Sequence, residues 1–96
     1  MALKVTPFDP AEHLETEDDI LCFLEAAMEG NDPRHIARAL GIVARAHGMT
    51  EVARKSGLGR QALYGALSEN GNPTLETLLA VLGVLGLELT VQKKAA

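Results

Sequence analysis

One stretch limits the folds open to this chain more than any other: Met49-Thr-Glu-Val-Ala-Arg-Lys-Ser-Gly-Leu-Gly-Arg-Gln-Ala-Leu-Tyr-Gly-Ala-Leu67. Val52, Ala53 and Ser56 recur on one helical face, and Leu63, Ala66 and Leu67 on another. Gly57-Leu58-Gly59 lies between them. Ala53 followed four residues later by Gly57 is the informative pair. Two helices that meet steeply need a small side chain at the contact, and the turn needs a residue at home in a left-handed backbone. The spacing predicts a helix-turn-helix, a motif whose second helix enters the DNA major groove.

The flanking sequence supplies three more helices. Thr16 with Asp19 reads as a capping box, and Glu17, Asp18 and Asp19 suit a positive helix start. Ile20, Phe23, Leu24, Ala27 and Met28 then form one apolar stripe, which Gly30-Asn31 ends. Asp32-Pro33 opens the next helix, with Ile36, Ala37, Leu40, Val43, Ala44 and His47 as its core face and Gly48 as its stop. Gly41 inside it costs roughly 1 kcal/mol against Ala, which close approach of another helix explains. Thr50 is expected to cap the third helix, and Leu58 or Gly59 to open a fourth that ends near Ser68. Thr74 caps a fifth, with Leu75, Leu78, Leu79, Leu82 and Leu85 inward. Leu87-Glu-Leu-Thr-Val-Gln92 alternates and predicts a short strand. That strand needs a partner: residues 3–6, its own copy in a dimer, or another protein. Phe8 and Leu14 are the expected anchors of the extended start of the chain.

Length and composition fit one small all-α domain. The chain has 96 residues, 47% hydrophobic, with one Tyr, two Phe and no Trp. Such an aliphatic core favours helix packing over a β-sandwich, and its small size favours a dimer. No apolar run reaches the roughly 18 residues of a membrane span, and the start lacks a signal-peptide pattern. With Cys22 the lone cysteine, the chain is expected in the reducing cytoplasm, Cys22 acting as a small buried hydrophobe.

The net charge of −4 conceals a strong division. Residues 1–33 hold nine acids and one lysine, a charge of −8. Residues 34–67 hold six cations and one acid, +5, and the remainder carries −1. The chain therefore divides into an acidic arm and helix, 1–31, and a helix-turn-helix domain with its C-terminal strand, 32–96. Such asymmetry points to one anionic and one cationic partner.

Candidate DNA contacts follow from the motif. Arg60 and Gln61 open the second helix, where Arg forks onto guanine and Gln onto adenine. Ala62 suits a thymine methyl. Tyr64, one turn beyond Arg60, suits a phosphate or base edge, or packing between helices. Arg54 and Lys55 suit phosphates, as do Asn70 and Asn72 in the following loop. Catalytic and metal chemistry find no support. His13, His35 and His47 are far apart, no nucleophile or phosphate-loop motif is present, and neither a metal site nor a cofactor is expected.

These residues also carry a family resemblance. Phe8-Asp-Pro-Ala-Glu-His-Leu14, Glu17-Asp-Asp-Ile20, Phe23-Leu-Glu-Ala-Ala27, Ala39 to Thr50, Ser56 to Leu67 and Asn70-Gly-Asn-Pro-Thr-Leu75 keep their order along roughly residues 6–90. The pattern resembles the probable addiction module antidote proteins, Xre-type helix-turn-helix antitoxins of bacterial type II toxin–antitoxin pairs. The resemblance implies a five-helix lambda-repressor-like fold with an N-terminal extension and a short C-terminal strand. It implies a protein that is not an enzyme, that neutralises a basic RelE-like ribonuclease toxin, and that represses its own operator as a homodimer. By position it carries Arg60, Gln61, Ala62 and Tyr64 onto the recognition helix and Thr50 onto the start of the helix before it. Gly59 stands at the cap where members usually have Ser, and Gly65 where they often have a long polar residue.

The acidic arm then becomes the expected toxin contact, with Phe8, Glu12, Glu15, Glu17, Asp18 and Glu25 as its candidates. Leu87, Leu89 and Val91 become the candidates for dimerisation. Two alternatives stay open: a stand-alone Xre-type regulator, or a toxin-binding module that has lost DNA binding. Gly59, Gly65 and a pI of 5.2 motivate the second.

Overall fold

The computed structural model describes residues 14–68 and 70–94. Five helices follow one another: α1 Glu17–Met28, α2 Pro33–His47, α3 Met49–Ser56, α4 Arg60–Ala66 and α5 Leu75–Val84. Phe8, Glu12, His13 and the expected pairing segment 3–6 lie outside the described residues.

Local chemistry sets most of the boundaries. At α1 the Thr16 hydroxyl accepts from the Asp19 amide at 3.0 Å, and the Asp19 carboxylate accepts from the Thr16 amide at 3.0 Å, so the capping box is complete. At α2 the Asp32 carboxylate accepts from the Arg34 amide at 3.0 Å, with Pro33 in the first position. At α5 the Thr74 hydroxyl accepts from the Thr77 amide at 3.1 Å.

The start of α3 differs from the sequence expectation. Gly48, not Thr50, is its N-cap, and Thr50 is an exposed residue within the helix. Gly48 has φ 112°, which ends α2 and lets α3 begin on the next residue. Met49 is buried there, so the junction is drawn into the core. The fourth helix is also shorter than expected and ends at Ala66, with Leu67 as its cap.

Helix α3 lies at the centre of the packing, touching α2, α4 and α5, while α1 packs along α2. Leu24 and Ala27 from α1, Leu40, Val43 and Ala44 from α2, Val52 and Ala53 from α3, Leu63 and Leu67 from the α4 region, and Val81 and Leu82 from α5 share one core. Aliphatic side chains supply this whole core, and no polar or charged residue is buried among the described residues. Helix α2 comes close to the residue that caps α4 at Gly41: a Cβ there would collide with the Leu67 carbonyl oxygen. Close approach thus explains the glycine inside that helix.

Four expectations of burial or secondary structure differ from what the described residues show. His47 is exposed, and α2 instead buries Ala39 and Ile42 in addition to its expected stripe. A helix covered by α1 as well as α3 buries more than one face. Cys22 is exposed on α1, off the stripe that meets α2. On α5, Leu75 is 63% and Leu79 45% exposed, while Val81 is fully buried. This helix is apolar nearly all round, so periodicity does not identify its inner face. Residues 87–94 form neither strand nor helix among the described residues. The Leu87 amide donates to the Leu82 carbonyl at 2.8 Å, which ties the segment's first residue back to α5. No described helix is long and apolar enough to cross a membrane.

Candidate nucleic-acid interface

The α3–α4 pair is built from its turn outwards. Gly57 caps α3 with φ 77°, the left-handed conformation that the sequence called for. The Ser56 hydroxyl donates to the Ala53 carbonyl and accepts from the Leu58 amide, both at 3.3 Å. Leu58 is half-buried and packs on the core, which fixes the turn from below. Gly59 is the α4 N-cap in an extended conformation, with no side-chain cap.

Leu63 is completely buried and anchors α4 to the core. That single anchor turns the rest of the helix outward: Arg60, Gln61, Ala62 and Tyr64 are all exposed. Arg60 lies over the Tyr64 ring, its guanidinium carbon 5.5 Å from the ring centroid, and donates to the Tyr64 hydroxyl at 3.2 Å. Gly65 is open to solvent, and a Cβ there would meet nothing. Gly59 is equally open, so the absence of a serine hydroxyl there has no steric cause.

Arg54 and Lys55 are exposed at the end of α3, and both are held by one acid. Glu51 accepts from Arg54 at 2.7 Å and approaches Lys55 Nζ at 3.0 Å. Hydrogen bonds from Arg54, then from Lys55, hold the Glu51 carboxyl below its ordinary value. The sequence carried the signal for this pair, since Glu51 stands three and four residues before the two cations.

The loop after α4 is drawn against the helix end. A Cβ at Gly71 would collide with the Gly65 and Ala66 carbonyls, and the Gly71 amide donates to the Ser68 carbonyl at 2.9 Å. Asn70 and Asn72 flank that contact and are exposed. Asn70 also lines a shallow recess with Asp32, Arg34, His35 and Arg38 from the start of α2. The sequence places Arg34 and Arg38 in the basic block 34–67 but singles out none of these three basic residues as a contact, because α2 and the loop are distant along the chain.

The family model described as "Probable addiction module antidote protein" matches residues 4–93. The chain belongs to that family. It is also 40% identical over 93 residues to an uncharacterized protein of Haemophilus influenzae, covering 97% of this chain and 96% of the relative. No solved structure matches the chain.

Membership in the antidote family gives the remaining candidates their context. Glu15, Glu17, Asp18 and Glu25 are exposed on or just before α1. Asp19, by contrast, is spent on the cap: backbone hydrogen bonds from Thr16 and Glu15 and the Thr16 hydroxyl hold its carboxyl below the ordinary value. Leu87 is half-buried against the core, whereas Leu89 is exposed and Val91 is 97% exposed. Among the described residues, no group of histidines, cysteines and acids is placed to hold a metal ion.

Proposed function

We propose that this protein is the antitoxin of a toxin–antitoxin pair, neutralising a basic RelE-like ribonuclease toxin and repressing its own operator as a dimer. Family membership across residues 4–93 is the observation that carries the antitoxin reading. The exposure of Arg60, Gln61, Ala62 and Tyr64 above the buried Leu63 supports the operator reading.

Each copy offers one helix to one major-groove segment. A dimer places two such helices roughly 34 Å apart, on successive turns of a palindromic site. Arg60 and Gln61 read base edges, while Arg54, Lys55, Asn70 and Asn72 take phosphates. Thr50, exposed on the first turn of α3, stands with the phosphate contacts. The dimer forms through apolar surface that the single copy leaves open: Leu75 and Leu79, one turn apart on α5, with Leu89 and Val91 beyond it. Burying what remains exposed of these aliphatic side chains favours association.

The acidic arm, with Glu15, Glu17, Asp18 and Glu25, takes the basic toxin. Complementary charge mainly speeds the encounter and selects the partner. The observation favouring a second reading, a toxin-binding module without DNA function, is the pair Gly59 and Gly65, which bring no side chain to the helix surface.

The antitoxin reading is tested by co-expression with the product of the neighbouring gene. The expected result is a co-eluting complex with a basic protein, whose expression alone halts growth and whose toxicity this chain relieves. A neighbour that neither binds this chain nor harms the cell contradicts the reading.

A further inference from the structure

Arg34, His35 and Arg38 stand at the wrong end of their helix. They occupy the first two turns of α2, where the aligned peptide dipoles make the helix positive and an acid is favoured. No acid occupies that first turn. Arg34 and Arg38 are also one turn apart on the same face, a repulsive spacing for like charges. Among the described residues, neither arginine has an ion-pair partner; the pairs present are those of Glu51. Asp32, the N-cap, accepts from the Arg34 amide and is the one carboxylate among the residues that line the recess. Two exposed cations with no ion-pair partner among the described residues, set against the dipole of their own helix, mark a place where an anion from outside would add favourable charge.

The recess defines what that is. Asp32, Arg34, His35, Arg38 and Asn70 line an open hollow of about 230 Å³. Asn70 belongs to the loop that follows α4, and Gly71 holds this loop against the Gly65 and Ala66 carbonyls. The α2 helix itself meets the end of α4 at Gly41. The hollow therefore adjoins the helix that carries Arg60, Gln61 and Tyr64. Two guanidinium groups offer forked donors, and a carboxamide adds a neutral one, the donor set of a phosphate site.

We propose that this recess binds a DNA backbone phosphate beside the segment read by α4, with Arg34 and Arg38 as its charged donors and Asn70 and His35 as its flank. The proposal rests on the operator-binding reading and names a contact that fixes α4 in register on the duplex. A phosphate there carries no sequence information, so its loss weakens binding to every duplex alike.

The test is fluorescence anisotropy with two duplexes, the protein's own upstream DNA and a scrambled copy, over a range of salt. The double variant Arg34→Gln/Arg38→Gln is compared with the unchanged chain. Loss of one neutralised phosphate makes the slope of log affinity against log salt shallower by about 0.9. Affinity for the two duplexes is expected to fall by the same factor, whereas Arg60→Ala narrows the difference between them. Thermal unfolding at low salt controls for the fold: relief of the repulsion leaves the midpoint unchanged or raised. An unchanged slope overturns the proposal. Should the unchanged chain bind neither duplex at low salt, the operator reading fails and the DNA phosphate fails with it. Inorganic phosphate titrated against the amide resonances of residues 34, 35, 38 and 70 separates the two failures. Shifts in the unchanged chain but not in the double variant retain an anion site without DNA, and no shifts remove the site altogether.

Discussion

Arg60 and Tyr64 form a stacked and hydrogen-bonded pair on the exposed face of α4, with the guanidinium 5.5 Å from the ring centroid and 3.2 Å from the hydroxyl. A free arginine samples many rotamers, and ordering it on DNA costs side-chain entropy. In the proposed operator contact, the Tyr64 ring would set that orientation before DNA arrives. An exposed cation–π contact is worth about 0.5–1 kcal/mol. Tyr64→Phe keeps the ring and loses the hydroxyl acceptor, so it is expected to weaken operator binding less than Tyr64→Ala. Equal losses from the two variants, measured by anisotropy, assign the effect to the hydroxyl rather than to the stacked ring.

Two glycines in neighbouring helices are expected to respond oppositely to the same change. Gly65→Ala adds a methyl group that meets nothing, and stabilises α4 by up to about 1 kcal/mol. Gly41→Ala gains the same propensity, but its methyl group strikes the Leu67 carbonyl. Overpacking of that kind costs about 1–3 kcal/mol, and backbone at the obstacle yields less readily than a side chain. Thermal unfolding should therefore rise for Gly65→Ala and fall for Gly41→Ala, by about 4–8 °C per kcal/mol in a domain this size. A rise for both contradicts the close contact of α2 with α4.

In the proposed DNA complex, Glu51 competes with phosphates for Arg54 and Lys55. Its folded-state pKa is depressed, so its stabilising contribution is present above the unfolded value and is lost as pH falls through the lower folded one. At neutral pH the carboxylate is fully charged and holds both cations. Glu51→Gln is expected to release them, tightening binding to specific and scrambled duplexes alike and steepening the salt slope. Weaker binding in the variant means that Glu51 positions the two cations for phosphate instead of withholding them. A carboxyl-detected NMR titration should show Glu51 and Asp19 each ionising below the ordinary value for its own side chain.

The apolar surface of α5 and the tail tests the dimer. Leu75→Glu/Leu79→Glu alters two exposed positions and leaves the core intact. Sedimentation is expected to show a dimer for the unchanged chain at micromolar concentration and a monomer for the variant, with helix content retained. A monomer in both cases removes the dimer from the account.

What was legible in the sequence was what local chemistry decides. Thr16 with Asp19, Asp32 with Pro33, Thr74 and Gly57 each carry their instruction within a few residues, and each sits where it was expected. Thr50 misled because Gly48 served two helices at once. The α5 face was illegible because leucines on every side leave no period to read. The alternation over 87–92 predicts a strand, but pairing is a property of two segments, and the described residues supply no second one. Among the site residues, Arg60, Gln61, Ala62 and Tyr64 share one helix and could be read together. Arg34, His35 and Arg38 meet Asn70 only through the fold, when α2 crosses the end of α4.

The measurement that bears most directly on the central claim is binding of this protein to its own upstream duplex against a scrambled duplex, with and without Arg60→Ala, at fixed salt. Tighter binding to the upstream duplex is expected, and Arg60→Ala should cost about 1–3 kcal/mol there while leaving the scrambled duplex nearly unaffected. Equal affinity for the two duplexes, untouched by Arg60→Ala, contradicts the claim that α4 reads an operator.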